Sequence, residues 1–209
     1  MIDERLKKLA SNLINYSCKL KAKEKILIEA MDCDEEFLCE LVKEVYKVGA
    51  YPFVNVLKSK LSRQLMLGTS DEREKLSCNF DLPIMEQMDA YISVRSKNVF
   101  ENSDIPKDRM KAYKVNYSMP VHTNTRVPKT KWVILNYPTS VVAQNAGMST
   151  EAFEDFYFDV CNLDYSKMDN AMIPLKNLME KTDRVRIVAP GTDLTFSIKG
   201  LPAIKCSGT

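Results

Sequence analysis

The sequence predicts an α/β fold: an open, mostly parallel sheet with helices on both faces, followed by the first strands of a second, β-rich domain. Three observations carry this. Short apolar runs alternate with helical stretches four times along the first 182 residues. The stretches between runs are long enough for the right-handed crossovers that join parallel strands. After Thr182 helical spacing stops, and two short runs meet at Pro190-Gly191-Thr192-Asp193, a turn signal.

Each element has a local reason. Leu6, Leu9, Ala10, Leu13 and Ile14 share one stripe at helical spacing, which predicts an amphipathic helix over 3–19. Lys25–Met31 (KILIEAM) is the first strand. Asp34 caps the next helix, whose apolar positions are Phe37, Leu38, Leu41, Val42, Val45 and Tyr46, and Gly49 supplies its left-handed stop. Tyr51–Leu57 (YPFVNVL) is the second strand. Leu61–Leu67 and Asp71–Met88 read as helices, the latter capped by Ser70 and kinked or split by Pro83. Ala90–Arg95 is the third strand. A long helix is expected over Pro106–Arg126, interrupted or bent at Pro120. Trp132–Asn136 is the fourth strand, followed by helices at Thr139–Ala146, Ser149–Leu163 and Tyr165–Lys181. Val185–Val188 and Leu194–Ile198 form a hairpin, and Pro202–Lys205 is one more short apolar run. The expected organisation is an amino-terminal α/β domain over 1–182 and, over 183–209, the start of a truncated carboxy-terminal domain. So few strands cannot bury a second core.

Composition excludes several classes. A net charge of +2, with basic and acidic residues interleaved, gives no reason to expect nucleic acid or an anionic membrane. No apolar run reaches the ~20 residues that span a bilayer. The amino terminus lacks the apolar stretch of a signal peptide, so a cytoplasmic protein is expected. The six cysteines form no Cys-x-x-Cys pair and sit among apolar neighbours, the pattern of reduced, buried thiols.

Signatures of chemistry are sparse. The single histidine, His122, has no acidic residue within helical reach and no His-Glu-x-x-His context, so it reads as a surface or helix-packing residue. Glycine-rich phosphate loops and the Gly-x-Ser-x-Gly elbow are absent. No residue is assigned as catalytic or metal-binding, and no cofactor is expected in this chain. One place does read as the edge of a cleft, because ligands of open parallel sheets approach the carboxyl ends of strands. Tyr137 and Thr139 follow the fourth strand, and Gln144 lies one and a half turns on; Arg95 and Asn98 follow the third. The alternative is a helix cap and tight turn, with the Thr139 hydroxyl as the cap, and no ligand. The helix over Ser149–Leu163 carries Phe153, Phe156, Tyr157 and Phe158, which suits either a core position or a partner interface.

Two stretches carry a family resemblance. Trp132–Asp164 (WVILNYPTSVVAQNAGMSTEAFEDFYFDVCNLD) and Asp183–Gly200 (DRVRIVAPGTDLTFSIKG) resemble, in order and spacing, the aminopeptidase T / aminopeptidase S family of thermophilic metalloproteases. The resemblance implies the amino-terminal domain of a metal-dependent aminopeptidase that removes N-terminal residues from peptides. It implies two divalent ions (zinc, cobalt or magnesium) in the intact parent protein, and a homodimer. The family's metal ligands belong to its carboxy-terminal part, and no position here matches them. On that basis this chain walls the active-site cavity, supports assembly and is inactive alone. The alternative is a stand-alone small-ligand-binding or interaction module.

Overall fold

The structure, a computed structural model, describes residues 3–96 and 101–208. Asn98 lies outside the described residues. The chain divides into two compact units, one reaching to Asn162 and the other spanning Leu163–Gly208. By contacts, the helices that follow Leu163 group with the hairpin, whereas the change in sequence texture comes later, at Asp183.

The first unit is the α/β layer structure. Helix α1 (Glu4–Ser11) is capped by Asp3, whose carboxylate accepts from Arg5 N at 2.8 Å, and it continues as a π-helical stretch over Asn12–Ser17. Then come β1 (Lys25–Met31), α2 (Glu35–Lys47), β2 (Tyr51–Leu57), α3 (Ser59–Leu67), α4 (Asp71–Met85) and β3 (Ala90–Arg95). Gly49, at φ 75°, occupies the left-handed position that turns the chain from α2 into β2. Helix α5 (Lys107–Tyr113) runs into a wide π-helical stretch (Lys114–Arg126) and the short α6 (Val127–Lys129). Strand β4 (Lys131–Asn136), α7 (Ser140–Asn145) and α8 (Thr150–Cys161) complete the unit.

Proline positions mark where local expectation and structure part. Pro83 does not split α4: its missing N–H falls in the last turn, opposite the carbonyl of Asn79, which is exposed and can turn to water. Pro120 does not interrupt its helix either. It lies inside the π-helical winding, and its carbonyl accepts from Thr125 Oγ1 at 2.9 Å. The expected helix over Tyr165–Lys181, by contrast, breaks at Met172 into α9 (Tyr165–Ala171) and α10 (Ile173–Lys181). Pro174 sits in the first turn of α10, where a missing donor costs nothing.

The four strands are all parallel, in the order β2-β1-β3-β4. Ile26, Ile28 and Ala30 of β1 and Ala90, Ile92 and Val94 of β3 share one face, covered by α1, α2 and α8 through Leu9, Ile14, Phe37, Leu41 and Phe158. Leu27 and Tyr91 point the other way, onto Cys78 and Met85 of α4 and Val121 of the π-helical stretch. Helices therefore cover both faces of an open parallel sheet, as the alternating pattern requires. His122 packs on this second face, edge-on to Tyr91 and Tyr117, which makes it a helix-packing residue.

In the second unit, α9 and α10 precede the antiparallel hairpin of β5 (Arg184–Ala189) and β6 (Thr192–Ser197). Pro190 and Gly191 form its two-residue turn, with Gly191 at φ 75°. Arg186 and Asp193, diagonal across the ladder, form a two-point ion pair, 2.7 Å at each contact. The run over 202–205 forms no strand. Its end is tied instead by Lys205 Nζ and Ser207 Oγ, which donate to the Asp169 carboxylate at 2.6 and 2.7 Å.

Candidate functional site

The strand order creates a switch point. From β1 the chain first builds outward to β2, then returns to place β3 on the opposite side of β1. In open parallel sheets the crevice outside the carboxyl ends at such a reversal is where ligands are bound. Here the residues leaving β1 are Asp32, Cys33 and Asp34, and those leaving β3 are Arg95 and Ser96. Backbone bonds hold the edge together: Ser96 N donates to Met31 O at 2.9 Å and Tyr137 N to Arg95 O at 2.7 Å. Asp32 takes a left-handed conformation (φ 54°), and its carboxylate accepts from Ser59 N at 3.2 Å, fixing the start of α3.

The residues singled out from sequence fall into distinct settings. Tyr137 is buried, its ring stacked on Phe37 at 5.3 Å between centroids. Thr139 stands at the N-cap position of α7, yet its hydroxyl makes no cap bond. It pairs instead with Ser96 Oγ at 2.7 Å, tying the end of β3 to the turn after β4, which corrects the expected capping role. Arg95 is exposed, and its Nε donates to Ser93 Oγ at 3.0 Å. Gln144 is exposed on α7. The structure thus brings Arg95, Tyr137 and Thr139 to one edge.

Ser96 and Cys33 were not singled out as site residues from sequence, and Asp34 only as the cap of α2, a bond its side chain does not make. Their membership depends on which strand lies beside β1, and only the rule that strand ends face the crevice could have flagged them. Burial pushes the Cys33 thiol up to about 12, so it stays protonated and is no nucleophile. Burial also raises Tyr137, helped by the nearby acids Asp34, Glu154 and Glu36. The edge thus holds a phenol that stays protonated, with carboxylates near it and the Arg95 guanidinium at the end of β3.

The opposite face holds further titratable groups, Tyr91 and Arg126 buried and Glu29, Tyr117 and His122 half-buried. Tyr91 Oη donates to Glu29 at 3.1 Å, and burial drives the Glu29 carboxyl upward. Tyr117 Oη donates to Asp81 at 2.7 Å. Burial, with Arg126 and Arg95 close by, lowers His122 to about 4, leaving a neutral imidazole at neutral pH. Arg126 lies between the rings of Tyr91 and Trp132, 5.0 and 4.6 Å from their centroids. Among the described residues, no three His, Cys, Asp or Glu side chains are placed to hold a metal ion. No described helix is long and apolar enough to cross a membrane.

Comparison with known proteins gives the following. The sequence profile of a family described as thermophilic metalloprotease (M29) matches residues 2–202. Among solved structures, wild-type AmpT from Thermus thermophilus aligns with a TM-score of 0.74 at 15% identity, covering 93% of this chain and 53% of that one. At that identity the likeness is one of fold, and this chain spans about half the length of AmpT. A transcription regulation repressor of the LacI family from Corynebacterium glutamicum aligns at 11% identity over 62% of this chain and 61% of that one. Its TM-score of 0.25 carries no argument. No curated protein matches in sequence.

Proposed function

We propose, since this chain belongs to the thermophilic metalloprotease (M29) family, that it is the amino-terminal domain of a metal-dependent aminopeptidase. The family is one of metallopeptidases, hydrolases that use divalent metal. The finer reading is removal of N-terminal residues from peptides by a homodimeric parent protein with two divalent ions, zinc, cobalt or magnesium. One observation carries the division of labour: the family profile and the AmpT fold run along nearly all of this chain, yet the chain accounts for 53% of AmpT.

The described residues do not fit a two-metal site. The one histidine is half-buried among aromatic rings and next to Arg126, where a further cation is disfavoured. No catalytic step is assigned to a metal on these residues. The role assigned to this domain is to wall the cavity, screen substrate access and support assembly. Asp34, Glu36 and Glu154 near Tyr137 suit that role, since carboxylates attract the protonated amine of a peptide.

The test is hydrolysis of amino-acid p-nitroanilides by the 209-residue chain with added cobalt or zinc. The comparison is the product of its reading frame carried to the stop codon. Activity in a longer product alone supports the reading. Metal-dependent activity in the 209-residue chain sinks it, and His122 is then the first residue to replace.

A further inference from the structure

Strand β2 is the anomaly of the first unit. Among the described residues it lies at the edge of the sheet, paired only with β1, and contributes no residue to either core cluster. The helices that cover β1 and β3 leave it bare on both faces: Tyr51 is 51% exposed, Phe53 46%, Val54 40% and Val56 54%. Its seven residues, YPFVNVL, carry no charge. Edge strands of stable monomers are guarded by charge, by shortness or by a covering element, because an open apolar edge templates pairing with another strand.

We propose that β2 pairs with β2 of a second copy, antiparallel across a two-fold axis, joining two four-stranded sheets into one. This deepens the homodimer reading above and rests on it. The backbone defines the geometry. Tyr51 N donates to Glu24 O, and Leu57 O accepts from Asp32 N, so Tyr51, Phe53, Asn55 and Leu57 aim their backbone groups at β1. Pro52, Val54 and Val56 therefore turn theirs outward. Pro52 falls where its missing donor leaves the existing ladder intact, the usual place for proline in a sheet.

With the two-fold axis at Asn55, Val54 and Val56 of one copy meet Val56 and Val54 of the other. All their outward N–H and C=O groups are then satisfied. Phe53 faces Leu57 on one side of the sheet, and the one polar side chain of the strand meets its own copy on the axis, amide to amide. No charge is brought against a like charge along the strand.

With roughly 150–250 Å² for a fully exposed aromatic residue and somewhat less for an aliphatic one, β2 with exposed Leu61 and Leu65 of α3 presents about 500 Å² of apolar surface per copy. About 1,000 Å² in total is therefore the most that this pairing can cover, the size of a weak, concentration-dependent dimer.

The register makes a sharp experiment. A residue pair on the axis of an antiparallel ladder lies about 4.5–5.5 Å apart at Cα, within reach of a disulfide. Asn55→Cys, in the 209-residue chain with the exposed cysteines replaced (Cys39→Ser, Cys206→Ser), should cross-link to a covalent dimer under mild oxidation. Leu61→Cys in the same background should cross-link far more slowly. In sedimentation, the unaltered chain should dimerise with rising concentration, and Val56→Lys should stay monomeric with an unchanged circular dichroism spectrum and the melting temperature that the unaltered chain has when dilute. A chain that stays monomeric, or an Asn55→Cys chain that does not cross-link, overturns the proposal. A dimer that survives Val56→Lys also overturns it, while leaving homodimerisation itself standing on another surface.

Discussion

Strands β1 and β3 of the first unit and the β5–β6 hairpin of the second are built from similar residues, yet their burial is opposite. Five of the six residues of β3 are buried, and Ile26, Ile28, Ala90, Ile92 and Val94 have no accessible surface. In the hairpin, Ile187 is 47% exposed, Val188 67% and Leu194 51%. Strand chemistry is thus common to both units, but only the first has layers on each face to bury it. A two-stranded hairpin has no second layer of its own, and its pairing rests on a tight turn and ion pairs such as Arg186–Asp193. The contrast teaches that β propensity selects the local conformation, whereas stability comes from what covers the strand.

The largest effect should test this contrast directly. Ile28→Ala or Ile92→Ala empties a fully buried position between helices and sheet, and should cost about 2–5 kcal/mol in denaturant unfolding. Leu194→Ala in the hairpin should change stability by no more than about 0.5 kcal/mol. Equal losses at the two places would break the comparison.

The next effect comes from the polar side of the first unit. His122 sits at about 4 in the folded chain against 6.5 unperturbed, so between these values the unfolded chain binds more protons. Stability therefore rises with pH across this window and is lost as pH falls through it, by roughly 3 kcal/mol in all. Glu29 works in the opposite sense: its raised carboxyl favours the folded chain at low pH, and that contribution fades as pH rises through its folded value. Urea midpoints measured from pH 4 to 7 should climb in the unaltered chain, and His122→Gln should flatten or reverse the climb. A slope untouched by His122→Gln would mean that other groups set the acid limit.

The smallest effect is confined to the hairpin. Gly191 holds φ 75°, and Gly191→Val should strain that turn by about 1–2 kcal/mol. Amide exchange across 184–197 should quicken while the unfolding midpoint of the first unit stays where it is. A shift of that midpoint would show that the two units unfold together.

Much of this molecule was legible residue by residue. KILIEAM, YPFVNVL and AYISVR are strands with the expected ends because each is a short apolar run bounded by turn or cap residues. Ser70 and Ser149 cap their helices through their hydroxyls, as their positions imply. Thr139 looks the same in sequence but spends its hydroxyl on Ser96, since only the fold brings that partner within reach. Pro174 was as visible as Pro83, yet it ends a helix where Pro83 does not, because each proline's effect depends on where in the helix its missing N–H falls.

The sequence by itself determined the alternation of strands and helices, the hairpin turn and the family. These follow from local periodicity and from residue order, which need no distant contact. Tertiary structure alone decided the strand order β2-β1-β3-β4, and with it the switch point where Ser96 bonds the end of β1 and Thr139. It also decided that β2 lies bare at the edge while β1 and β3, of similar composition, are sealed. The physical reason is that pairing partners and covering layers are non-local: hydrophobicity states that a strand must be buried, and only the packed chain determines which strand is.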